Sequence, residues 1–174
     1  MSFFSIPSHW RIPQSAMQLS LKEMAVDGAA GCEGVALWLG RYAGDVASIT
    51  HVVALRGSGV RKAPDLLQIS AGLINDVTDL AIEHGATLVG QIHSHGRLFG
   101  TNLSRTDKQM GIAVPGFLSV VAPDYAIRPT TPIADCGVHL FEPPSGWRRM
   151  AQVEVTARIV MTAGADAALL VAGG

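Results

Sequence analysis

The chain has 174 residues, 48% apolar and 16% charged, with 13 basic side chains against 14 acidic ones and a net charge of −1. That composition, with a mean hydropathy of +0.31, excludes a disordered chain and fits one well-buried domain over 1–174. Ten of the basic residues are scattered arginines, and the densest groupings are Arg56-Arg61-Lys62 and Arg148-Arg149, so nucleic acid is not an expected ligand.

Ser15 to Ala25 reads as an amphipathic helix, with Met17, Leu21, Met24 and Ala25 at helical spacing and Pro13 just before it. Gly28 to Gly31 breaks it. Glu33 to Gly40 reads as a buried strand ended by glycine, and Val46 to Leu55 as a second strand. Arg56 to Pro64, with two glycines and a proline, reads as a mobile loop. Ser70 to His84 is the clearest helix: Ser70 suits an N-cap, Leu73, Ile74, Val77, Leu80 and Ala81 form one apolar face, and Gly85 suits a C-terminal cap. Thr87 to His95 is the next strand. Ser104 begins a short helix to about Met110. Phe117 to Val121, Val138 to Phe141 and Val153 to Met161 read as strands, with turns at Thr130–Pro132 and Pro143–Gly146. The order implies an α/β sandwich in one domain.

Two apolar stretches raise the membrane question. Gly111 to Pro123 is short and broken by Pro115, and Ala157 to Gly174 carries Arg158 and Asp166, so no spanning helix is expected. Met1 to Pro13 has no basic and then apolar leader pattern, and the two cysteines, Cys32 and Cys136, read as reduced thiols. A cytoplasmic location is the expectation. Gly173-Gly174 reads as a loose tail, although such an end also suits a processed or conjugated protein.

The chemistry concentrates in Gly90-Gln-Ile-His93-Ser94-His95-Gly96, followed by Ser104-Arg-Thr-Asp107. Side chains two apart on a strand share a face, so His93 and His95 project together. Two imidazoles and the Asp107 carboxylate make three metal ligands and leave a fourth, tetrahedral position for water, which is the catalytic zinc pattern. Glu33 leads into an apolar strand, where a charge needs a partner or a task, and is the candidate base for that water. Ser104-x-x-Asp107 also matches a helix capping box. The two readings are compatible if Ser104 opens a helix whose first turn aims Asp107 at the metal. His9, His51, His84 and His139 have no partner pattern.

Glu33 opening a Glu-x-x-x-Leu-x-x-Gly strand, then His-Ser-His, then Ser-x-x-Asp, resembles the signature of the JAMM (JAB1/MPN/Mov34-type) metalloproteases. The resemblance spans Ile12 to about Phe141, including the order of elements. There are two departures: Gly96 stands where the family commonly has proline, and eight residues rather than seven separate His95 from Ser104.

The resemblance implies a cytidine-deaminase-like α/β/α fold around a curved mixed sheet. It implies one Zn²⁺ held by His93, His95 and Asp107 with water as the fourth ligand, Glu33 as general base and then acid, and Ser104 at the oxyanion. The implied reaction is hydrolysis of a peptide or isopeptide bond after the C-terminal glycine of a ubiquitin-like protein, and the implied setting is a prokaryotic conjugation or antiphage system with its activating and conjugating enzymes. Arg56 to Gln68 resembles the first family insertion, so Arg56, Arg61 and Lys62 are candidate substrate contacts, and Asp124 to Asp135 corresponds to the second. Alternatives are a peptidase acting on a sulfur-carrier protein, and an inactive scaffold that only binds partners.

Overall fold

The computed structural model describes residues 6–174; the first five, part of the stretch read for a leader, lie outside it. Strand β2 (Val35–Ala43) sets the layers by its alternation. Ala36 and Trp38 enter one apolar cluster, and Val35, Leu37 and Leu39 enter another. A strand buried on both faces needs cover on both. Helix α1 (Gln14–Ala29) supplies the first cover through Ala16, Met17, Leu21 and Met24. Helix α2 (Ala71–Glu83) supplies the second through Leu73, Val77 and Ala81. Trp38 is fully buried, and its indole N–H donates to Ser20 Oγ at 2.9 Å. Removing such a ring from a packed core costs about 3–5 kcal/mol.

The sheet is mixed. β3 (Val46–Leu55) is its longest strand and pairs antiparallel with β2. Along its other edge, β1 (His9–Pro13) takes Val46–Ser48 and β11 (Ala168–Ala172) takes His51–Leu55, both in parallel. β10 (Ile159–Thr162) lies outside β1. On the other side of β2 come β6 (Thr87–Ser94), β7 (Leu118–Ala122), β8 (Gly137–Glu142) and β9 (Gly146–Arg149), with β6 and β7 parallel. Thr50 is passed over where Leu39 faces His51 and Gly40 faces Ile49. That bulge switches the buried face of β3 from Ala47 and Ile49 to Val52.

Several expectations hold closely. β3 has the expected bounds, and Ser70 caps α2 by accepting from Leu73 N–H. Others need correction. Glu33 precedes β2 rather than lying in it, and β2 runs past Gly40 to Ala43 because glycine is tolerated at its bulge. Arg56–Pro64 is not a loop alone: β4 (Val60–Ala63) and β5 (Leu66–Ile69) form a hairpin around Pro64-Asp65. Val153–Met161 is not a strand. Its first part is helix α4 (Gln152–Arg158), held by the i,i+4 pair Glu154–Arg158, and only Ile159–Thr162 is extended. β-branched Val153 and Val155 mimic strand alternation, but Val155 is buried and Val153 exposed as helix spacing requires. The chain before the final glycines is tied down: Ala168–Ala172 form β11 of the sheet, and Ala172 O accepts from Arg56 N–H at 2.9 Å, with Gly173-Gly174 following it. Among the described residues no helix is long and apolar enough to cross a membrane.

Candidate metal centre

β6 ends at the centre of the site. His93 and His95 face one side, as alternation requires, at 0% and 3% exposure. Asp107 is carried by α3 (Arg105–Met110). Ser104 caps that helix in a reciprocal box: its Oγ accepts from Asp107 N–H at 3.0 Å, and Asp107 Oδ2 accepts from Ser104 N–H at 2.7 Å. The cap therefore aims the carboxylate. Since it uses a lone pair of Ser104 Oγ, the hydroxyl proton stays available to donate.

His93 Nε2 lies 3.2 Å from His95 Nε2, His95 Nε2 lies 3.1 Å from Asp107 Oδ2, and His93 Nε2 lies 3.6 Å from Asp107 Oδ1. A tetrahedral Zn²⁺ with bonds of about 2.0–2.1 Å would set its ligands about 3.3 Å apart. His95 Nδ1 sits 3.1 Å from the Gly100 carbonyl, a contact that requires N–H at Nδ1. Nε2 is thereby turned toward Asp107 Oδ2: charged, the ring donates to the carboxylate, and neutral, it presents there the lone pair that a metal ligand needs. His93, His95 and Asp107 are the cluster in the described residues with metal-ligand spacing, and they fit zinc.

The electrostatics agree. Burial opposes ionisation of Asp107, but hydrogen bonds from His93 and His95 outweigh it and hold the carboxyl far below its usual range. Burial also opposes charging of His95, yet the hydrogen bond and charge of Asp107 leave its pKa raised. Glu33 is 5% exposed. Desolvation pushes its pKa up to about 7; the charge of His95 opposes this, and those of Asp107 and Asp65 add to it.

Glu33 is held from both sides. Its N–H donates to Ala63 O of the hairpin at 2.9 Å. Its neighbour Gly34 donates to Ser94 Oγ at 2.9 Å and accepts from Ser94 N–H at 3.0 Å. Ser94, which sequence reasoning passed over, thus docks the Glu33 segment onto β6. Its signal is positional, because a residue between two same-face ligands must point to the other face.

Tyr125 was also missed. Asp124, Tyr125 and Ala126 run consecutively with φ of 54°, 54° and 56°, a left-handed stretch costing about 1–2 kcal/mol per non-glycine residue. Its N–H donates to His95 O at 2.8 Å, and its hydroxyl donates to Pro64 O at 3.1 Å. The carbonyl of Tyr125 also occupies the space of a Cβ at Gly28 in α1. The expected second insertion, Asp124–Asp135, is a pair of short turns with Arg128 3.9 Å from both Asp124 and Asp135.

The basic candidates divide. Arg56 pairs with Glu23, and Lys62 pairs with Asp27 at 2.7 Å, so both tie the hairpin region to α1. Arg61 is exposed on β4 and has no carboxylate partner among the described residues. Beside Asp107 a groove opens between β5 and α3. Leu67, Ile69 and Ile74 line one side, Met110 and Ile112 line the other, and Gln91 lies beneath. His139 lies across β7 from Gln91; burial and the charge of Arg149 push its pKa down to about 4, so it is neutral.

No family model and no curated protein matches the sequence. Among solved structures the chain is similar to the solution structure of protein DSY2949 from Desulfitobacterium hafniense, with a TM-score of 0.64 and 16% identity over 89% of this chain and 94% of that one. The likeness at that identity is one of fold.

Proposed function

We propose that the chain is a JAMM-type zinc peptidase with the cytidine-deaminase-like fold, hydrolysing the peptide or isopeptide bond after the C-terminal glycine of a ubiquitin-like protein. The observation that carries the reading is the meeting of three donor side chains, whose nearest ligand atoms lie 3.1 to 3.6 Å apart, with a buried carboxyl of raised pKa.

His93, His95 and Asp107 would hold the zinc, which when bound supplies Lewis acidity toward water and the scissile carbonyl. The rest falls to the side chains. Glu33, with a pKa near 7, can take a proton from the attacking water and return it to the leaving amine. Such tuning serves both directions of transfer near neutral pH. The Ser104 hydroxyl, whose lone pair is engaged by the cap, donates its proton to the developing oxyanion. The apolar groove beside Asp107 receives an extended chain, and the free edge of β5 offers it main-chain partners. The partners that follow are a ubiquitin-like protein, its conjugates, and the enzymes that activate and conjugate it.

The test has two stages. Elemental analysis should give about one zinc per chain, lost in His95→Ala and Asp107→Ala. A panel of ubiquitin-like and sulfur-carrier fusions should then show cleavage after a terminal glycine, abolished by Glu33→Gln with zinc retained. A protein that takes up no zinc at neutral pH would leave only a binding module. Cleavage confined to sulfur-carrier fusions would move the reading to that substrate class.

A further inference from the structure

Gln91 is 8% exposed and sits two residues before His93, on the same face of β6. Apart from Asp107, it is the polar side chain in a groove otherwise walled by Leu67, Ile69, Ile74 and Met110. Its Nε2 donates to Ser119 Oγ at 3.2 Å, and Ser119, fully buried, is its direct partner on the neighbouring strand β7. The amide is thereby fixed in orientation. Its carbonyl oxygen has no hydrogen-bond partner among the described residues, and it is not sealed off from solvent. A fixed, unpaired acceptor in an apolar groove will favour a ligand that brings a donor.

We propose that Gln91 is a specificity-determining residue that accepts a hydrogen bond from the main-chain N–H of the second residue before the cleaved bond. This rests on the peptidase reading above. Two residues of strand span about 6.6 Å, so the amide stands one dipeptide step from His93. An extended substrate lying along β6 passes Gln91 before it reaches the metal ligands. The side chain thus reads backbone rather than side chain at that step and rejects a residue without an N–H. The apolar walls take an uncharged side chain farther upstream.

The experiment uses the zinc-loaded protein and a fluorescein-labelled octapeptide with leucine fourth from its C-terminus and Gly-Gly at its end. A second peptide carries N-methylglycine at the position before last. Zinc content is measured first for every variant, and binding is read by fluorescence anisotropy. In the wild type, N-methylation should weaken binding about tenfold, because an unmade hydrogen bond to a buried group is costly. Gln91→Leu should weaken binding of the unmodified peptide about tenfold, and N-methylation should then have no further effect. Ser119→Ala, which keeps Gln91 but releases its amide, should reduce the N-methylation penalty to two- or threefold, and it carries the test if Gln91→Leu does not fold.

An N-methylation penalty equal in the wild type and the variants overturns the assignment of Gln91, as does a zinc-loaded wild type that binds both peptides alike or binds neither. A wild type that takes up no zinc sinks the peptidase reading and this assignment with it.

Discussion

The ring of Tyr125 occupies the space that a side chain at position 96 would need. A Cβ on Gly96 would lie 2.6 Å from Cζ and Oη of that ring. Gly96 follows His95, a candidate metal ligand, and the same ring reaches Pro64 at the hairpin tip. Gly96→Ala should push the ring aside and cost about 1–3 kcal/mol. Urea unfolding of Gly96→Ala, Tyr125→Ala and the double variant should be non-additive, with the alanine at 96 costing little once the ring is gone. Additive losses would mean that the contact is not what excludes a side chain. Proline, usual at this position in the family that the motif resembles, meets the same ring.

Tyr125→Phe isolates the hydroxyl. Loss of the bond to Pro64 should loosen the β4–β5 hairpin while zinc content stays at one per chain. Limited trypsin digestion at Arg61 should then proceed several-fold faster than in the wild type. Equal rates would show that the Glu33–Ala63 contact and the Lys62–Asp27 pair suffice to hold the hairpin.

Glu33 makes stability depend on pH in the metal-free protein. Its folded pKa of about 7 lies above its unfolded value of 4.5. Between those values the folded state binds more protons than the unfolded one, so stability falls as pH rises through that window. Glu33→Gln should therefore stabilise the metal-free protein by on the order of 2 kcal/mol at pH 8 and by almost nothing at pH 4. Thermal unfolding at the two pH values checks this. The same substitution should abolish hydrolysis.

Glu154 has the opposite sign. It accepts from Arg148 at 2.6 and 2.7 Å and from Arg158 at 2.6 Å. The hydrogen bonds from Arg148 come first among the causes that hold its pKa down to about 2. Arg158 also donates to Ser8 O and Pro7 O and lies 4.9 Å from the Trp10 ring centroid, so the network fastens α4 to β1. Glu154→Gln should cost about 1–2 kcal/mol at pH 7. The difference from the wild type should shrink as pH falls from about 4.5 toward 2, where the wild-type carboxylate is protonated. A difference in Tm that stays constant from pH 7 to pH 3 would rule out an ionic contribution.

What the sequence disclosed depended on how local the cause was. Ser70 and the apolar face from Leu73 to Ala81 are a complete local signal, and α2 forms as they require. His93, His95 and Asp107 were legible because strand alternation and a capping box each act within four residues. Tyr125 was not, since its importance lies in contacts with Gly28, Pro64 and His95 that no spacing announces. α4 differs from the expected strand because Val153 and Val155 carry strand propensity, while the helix is favoured by the i,i+4 pair Glu154–Arg158 and tied down by Arg148, outside the segment. Arg56 and Lys62 are candidate contacts by their place in the stretch that resembles the first family insertion, but their carboxylate partners Glu23 and Asp27 lie on α1, far away in sequence.

The divided edge of β3 also bears on the order of assembly. β2 can pair with β3, and then with β6, as soon as residues up to 94 have been made. The stretch His51–Leu55 must wait along its other edge for residues 168–172, and β1 must wait for 159–162. Arg158 meets Ser8 across 150 positions of chain. The nascent protein thus carries the strand of His93 early and an open strand edge late. Closure of that edge is the slow, non-local step, and until it happens the exposed backbone from His51 to Leu55 invites pairing with other chains.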